Sequence, residues 1–112
     1  MSHDTTVAHR QVEILNSLGL HVRPAMKFVE AASRFQSEVR VRHNNNEFNG
    51  KSLLELTMMA AECGTRLELE ARGPDAEAAV EALADLVSAR FYENDDGEPI
   101  DAGPGPQPEP AR

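Results

Sequence analysis

The sequence predicts an α+β fold, a two-layer sandwich whose single sheet is wet on its outer side and covered by helices on the other. Three observations carry this expectation. Segments 9–16, 37–44 and 65–72 alternate apolar and polar residues with period two, as half-buried strands do. Segments 22–35 and 75–91 repeat their apolar residues at helical spacing. The elements interleave in the order β-α-β-β-α-β-α, with the two long helices, 22–35 and 75–91, as the natural cover of the sheet.

In chain order, "HRQVEILN" is a strand turning on Val12 and Ile14, and "NSLG" is a loop. Ala25, Phe28, Val29, Ala32 and Phe35 then form one face of an amphipathic helix. "SEVRVRHN" sends Val39 and Val41 inward and Arg40 and Arg42 outward, "NNN" is turn material, and "EFN" is a short return strand. Ser52 followed by Glu55 is a capping-box pattern opening a short helix that ends before Gly64, with Leu56, Met59 and Ala60 facing the core. "TRLELEAR" turns Leu67 and Leu69 inward, leaving Glu68 and Glu70 with Arg40 and Arg42 on a solvated outer face. The last helix has Asp75 as its cap and Ala76, Ala79, Val80, Leu83, Val87 and Phe91 as its buried stripe.

The 112 residues suffice for one domain, with 40% apolar residues and no Trp, so the core rests on aliphatic side chains. We assign 1–8 as a flexible N-terminus, 9–92 as the domain, and 93–112 as a disordered tail rich in Pro, Gly and acid. Of the 19 acids and 11 bases, six acids and one base fall in the tail, leaving residues 1–92 at only −3. No basic footprint argues for nucleic acid. No 18-residue apolar stretch could span a membrane, and the polar start "MSHDTTVAHR" lacks the apolar run of a secretion signal, so a cytoplasmic protein is expected. The single Cys63 offers neither a disulfide nor metal-ligand spacing, and no metal or other cofactor is expected.

The chemistry gathers in "GLHVRPAMKF". His21 falls at the N-cap of the first long helix, and Pro24 lies in the first turn, where a missing N–H costs nothing. First-turn N–H groups and the positive helix end, from His21 through Val22, Arg23 and Pro24, make an anion site. Arg23 adds a planar cation suited to a phosphoryl group, and Gly19 lets the preceding loop approach closely. A ring nitrogen of His21 can accept a phosphoryl group there, the simplest form of nucleophilic covalent catalysis. His3, His9 and His43 have no such setting and are expected in solvent.

"GLHVRPA" followed by "GKSLLEL" resembles the HPr family of phosphocarriers of the bacterial phosphotransferase system, over about residues 10–92. The resemblance implies an open-faced β-sandwich, a four-stranded antiparallel sheet with three helices on one face. It implies that His21 takes a phosphoryl group on Nδ1 from phosphorylated enzyme I and passes it to an enzyme II A component or a regulatory protein. It makes Arg23 the phosphate-binding arginine, and Ser52 the match to a serine that an HPr serine kinase/phosphorylase modifies in some bacteria. The family's partner surface would here comprise Lys27, Leu53, Leu54 and Met58 on a monomeric chain. Val22, Glu30 and Glu55 depart from residues common in that family, the last two by placing acid where relatives carry base, glycine or lysine. "SLGLHVRPAMK" is similar to the nitrogen branch and "GKSLLEL" to the serine-regulated sugar branch. A second reading is a regulatory protein-binding module acting through Ser52 and the Leu53/Leu54/Met58 patch. A stand-alone enzyme has little support, because no substrate-binding machinery accompanies His21 and Arg23.

Overall fold

In the computed structural model, which describes residues 6–92, four strands and three helices alternate: β1 (Val7–Glu13), α1 (Val22–Ala32), β2 (Glu38–His43), β3 (Asn46–Asn49), α2 (Leu53–Met59), β4 (Arg66–Arg72) and α3 (Ala76–Ser88). A short 3-10 turn, Arg90–Tyr92, follows. The sheet runs β1-β4-β2-β3 with every neighbour antiparallel, so the expected four-stranded α+β sandwich is the observed one. The expected tail at 93–112 and residues 1–5 of the expected flexible N-terminus lie outside the described residues, while Val7 and Ala8 of that N-terminus belong to β1.

Alternation decides which side of the sheet is dry. Ala8, Val39, Val41, Leu67, Leu69 and Ala71 point to the helices and are buried. Against them pack Phe28 and Ala32 of α1, Leu56 of α2, and Ala79, Val80, Leu83 and Val87 of α3. The hairpin between β2 and β3 turns on Asn44 and Asn45, with φ of 53° and 67°. Two left-handed residues match the twist of paired strands, and Asn tolerates that conformation better than most.

Several boundaries differ from the sequence reading. β1 begins at Val7, two residues before the expected domain start, because Val7 and Ala8 find partners in Arg72 and Ala71 of β4. α1 ends at Ala32, not at residue 35: Arg34 and Phe35 donate to Ala31 and Ala32, tightening the last turn to three-residue spacing. α2 stops at Met59, well short of Gly64, because Ala60 takes a left-handed conformation (φ 54°), which also puts Ala60 in solvent and out of the core. Phe91 is buried not on α3 but on the turn after it.

Asp75 does not cap α3. Its carboxylate accepts from the N–H groups of Gln36 and Ser37, at 2.9 Å each, and from the Ser37 hydroxyl. The Ser37 hydroxyl hydrogen bond, followed by the Gln36 N–H, holds the Asp75 carboxyl below the usual carboxylate range. Asp75 thus ties the start of α3 to the loop before β2.

The outer face of the sheet is not uniformly solvated either. Glu70 is only 2% exposed, covered by Arg42 and Arg72, which both form ion pairs with its carboxylate. Burial pushes the Glu70 carboxyl up, but hydrogen bonds from Arg72 and Arg42 outweigh it and hold the group below its ordinary value. His9 is exposed, with Nδ1 at 3.1 Å from Glu68, whereas His43 is half-buried.

Candidate functional site

The loop that delivers His21 is fixed before the helix begins. Gly64 donates to the Ile14 carbonyl and Ile14 to that of Thr65, at 2.7 and 2.9 Å. Asn16, buried, donates its side-chain amide to Gly19 O at 2.7 Å. Gly19 sits at φ +75°, and a Cβ there would lie 2.5 Å from Ala61 O and 2.9 Å from Glu62 Cα. Only glycine fits such a place. Leu20 then donates to Ala61 O at 2.8 Å, so the segment after α2 braces the approach to His21.

His21 is the N-cap of α1, with extended backbone (φ −82°, ψ −169°), and its carbonyl accepts the first helical bond from Ala25 at 3.0 Å. The imidazole makes no side-chain cap bond to its own helix. Nε2 is buried within a half-buried residue. Val22 and Arg23 occupy the first turn, ahead of any helical carbonyl, and Pro24 is buried behind them. The charge at this end favours an anion over the ring.

Two hollows lie along this end of the fold, the first including the histidine. One is lined by Leu18, Leu20, His21, Val22, Thr57 and Ala61. The other lies between α1 and the start of α2, lined by Arg23, Met26, Lys27, Val29, Glu30 and Leu53. Large apolar side chains stand open around them: Leu54 is 68% and Met58 69% exposed, and Leu18, Val22, Met26 and Leu53 are exposed too. An exposed apolar patch of this extent marks an interaction surface.

The structure places His21, Val22, Arg23 and Pro24 at one helix start and sets Leu53 on the hollow that Arg23 lines, with Leu54 and Met58 on the same short helix as Leu53. Lys27 lines the second hollow, but its ammonium donates to the Phe91 carbonyl at 2.7 Å. Ser52 caps α2, accepting from Glu55 N at 3.2 Å. The other half of the capping box is displaced: the Glu55 carboxylate accepts from Asn49 N–H at 2.7 Å, because Ser52 N–H already donates to Asn49 O. Met26 and Leu18 were missed as patch residues. The signal existed, since Val22 and Met26 are apolar, spaced i, i+4, and off the core stripe of α1. Among the described residues, no cluster of three His, Cys, Asp or Glu forms a metal site, and no helix is long and apolar enough to cross a membrane.

Residues 8–89 match the family profile described as "PTS HPr component phosphorylation site". Phosphocarrier protein HPr of Neisseria meningitidis serogroup A is 46% identical over 86 residues, covering 77% of this chain and 97% of the relative. Phosphocarrier protein NPr of Shewanella violacea is 39% identical over 88 residues, covering 79% and 97%. Among solved structures, HPr-C-His from Thermoanaerobacter tengcongensis superposes with a TM-score of 0.75 at 38% identity, covering 78% of this chain and 98% of that one.

Proposed function

Because the chain belongs to the HPr family of phosphocarriers of the bacterial phosphotransferase system, we propose that His21 is its phosphoryl acceptor, loaded by phosphorylated enzyme I. The supporting observation is the ring of His21 at the mouth of α1, spared from capping, with Nε2 buried and Arg23 in the first turn. The Nδ1 lone pair attacks phosphorus. A new N–P bond forms as the donor's bond to phosphorus breaks, and that electron pair returns to the donor. The first-turn N–H groups of Val22 and Arg23, with the Arg23 guanidinium, meet the arriving negative charge. Pro24 sets the helix start without spending a donor.

In the second transfer the same bond breaks in favour of a histidine on an enzyme II A component or a regulatory protein, in the cytoplasm. Leu53, Leu54 and Met58, with Met26 and Lys27, form the face on which the monomeric chain receives donor and acceptor in turn. Using one face for both keeps His21 at the centre of each interface, where contacts weigh most. Incubation with phosphoenolpyruvate and enzyme I should place acid-labile phosphate on the wild-type chain and none on His21→Ala. Equal labelling of the two would overturn the assignment.

A second reading concerns Ser52. Its hydroxyl adjoins Leu53, which lines the hollow containing Arg23, so a phosphoryl group there would put about two negative charges beside the docking face. An HPr serine kinase/phosphorylase could then switch partner choice without touching His21. A pull-down of a regulatory partner that survives His21→Ala but fails in Leu54→Glu would favour this regulatory role over transfer.

A further inference from the structure

The chain has four methionines, at positions 1, 26, 58 and 59. Of the three among the described residues, Met59 is 6% exposed, whereas Met26 is 53% and Met58 69% exposed. Met58 and Met59 are neighbours on α2. Successive residues stand about 100° apart around a helix, so one of the two packs against the core and the other stands in water. Met26 lies on α1 off its buried stripe and lines the same hollow as Leu53. Met58 follows Leu54 by one helical turn. Both open methionines therefore belong to the face proposed for docking, and the buried one does not.

Methionine suits a face that must fit more than one partner, because its unbranched thioether adapts its shape. Its sulfur is also the one kind of atom on that apolar surface that a peroxide readily changes; Leu18, Val22, Leu53 and Leu54 offer none. The sulfur lone pair attacks a peroxide oxygen, the O–O bond breaks, and its electron pair leaves as hydroxide. The hydroxide takes the proton from the new S–OH group and departs as water. Sulfur is oxidised to the sulfoxide and the peroxide is reduced. The sulfoxide oxygen is a strong acceptor, and covering it with a partner's apolar surface that offers no donor is unfavourable. The fold itself loses little, since Met26 and Met58 already stand in solvent and Met59 is shielded.

We propose that Met26 and Met58 form a reversible oxidation site. Peroxide converts both to sulfoxides, which closes the face to enzyme I while the fold stays intact, and a methionine sulfoxide reductase reopens it. The reducing step draws two electrons from a pair of reductase thiols, which become a disulfide as the sulfoxide oxygen leaves as water. The loss of phosphoryl transfer rests on the reading of His21 as acceptor; the oxidation itself does not. Cys63 is exposed and carries an oxidisable thiol of its own, so its contribution has to be removed from the test.

The full chain carrying Cys63→Ser is treated with hydrogen peroxide, desalted, and compared with its untreated form. Peptide mass spectrometry should find one added oxygen on Met26 and on Met58 at least about ten times sooner than on Met59. The melting temperature should stay within about 4 °C of the untreated chain. The initial rate of phosphate uptake from limiting enzyme I should fall about 3–10-fold. It should recover after incubation with the reductases for both sulfoxide epimers and a dithiol. A variant that adds Met26→Leu and Met58→Leu to the same background should keep, after peroxide, the rate it had before. Met59 oxidised as fast as the other two, a larger fall in melting temperature, an uptake rate unchanged by full oxidation, or an equal loss in the leucine variant overturns the proposal. Should neither form take up phosphate, the assignment of His21 falls and calorimetric binding of enzyme I decides. Weaker binding to the oxidised chain then upholds the oxidation site; equal binding, or binding to neither form, overturns it.

Discussion

The outer face of the sheet and the α1–α2 edge are both lined with charge, yet they use it in opposite ways. On the sheet, each of Arg40, Arg42 and Arg72 faces a glutamate, and His9 faces Glu68. Glu70 is buried beneath two guanidiniums. On the helix edge, the ammonium groups of Lys27 and Lys51 rest on the backbone carbonyls of Phe91 and Phe35, and Leu54 and Met58 are left mostly in water. On the sheet face Arg40, Arg42 and Arg72 are all ion-paired. Among the described residues, the helix edge sets the ammonium groups of Lys27 and Lys51 on neutral carbonyls near exposed apolar side chains, the kind of surface that suits a partner. Pairing, more than the number of charges, separates scaffold from site.

The widest separation between the two regions should come from Gly19→Val, which attacks the brace behind His21. A left-handed backbone and a Cβ 2.5 Å from Ala61 O leave valine no place to go. We expect a loss of at least about 3 kcal/mol, combining backbone strain with forced displacement of the neighbouring chain. Denaturant unfolding reads it directly, and an unchanged midpoint would contradict the account of this loop.

Glu70→Gln should cost about 1–3 kcal/mol, since it removes the carboxylate that two guanidiniums share. The sign of its pH dependence follows from the depressed folded-state value of Glu70. The stabilisation is present above the unfolded carboxylate range, about pH 4, and is lost as pH falls through the folded value. Wild type and Glu70→Gln should therefore differ in melting temperature at neutral pH and converge in acid. Asp75, depressed by Ser37 and Gln36, loses its contribution in the same direction.

Leu54→Glu reverses the pattern. At 68% exposure it should leave stability within about 0.5 kcal/mol of wild type. The kcat/KM for phosphoryl transfer from enzyme I should fall about tenfold, as expected for a residue inside an interface. A drop in stability with transfer intact would return Leu54 to the scaffold. Smallest of all, Ser52→Ala should lose about 1 kcal/mol of stability through its missing cap, with transfer through His21 unaffected.

Much of this was legible in the sequence because periodicity reports burial directly. Val39 and Val41 alternate with arginines and are fully buried, and Ala79, Leu83 and Val87 keep helical spacing and are buried too. The His21–Arg23–Pro24 helix start was legible because capping and first-turn preferences are local. What escaped depends on contacts distant in sequence. Asp75 was claimed by Gln36 and Ser37, and the Glu55 carboxylate by Asn49. Glu70 was buried by Arg42 on a neighbouring strand. Ala60 left the core because a left-handed residue ended α2 early, which helical spacing cannot foresee. Met26 was overlooked although its off-stripe position was visible, because the core face was read first.

The central proposal is that the imidazole at the mouth of α1 carries the phosphoryl group on Nδ1, its Nε2 being buried. Nitrogen NMR of the ring, recorded on the full chain with histidine labelled, before and after exposure to phosphoenolpyruvate and enzyme I, tests it most directly. The account predicts phosphorus coupling at Nδ1 of His21 alone, with Nε2 uncoupled and His9 and His43 unchanged. Coupling at Nε2, or phosphate on another histidine with His21 untouched, would contradict it.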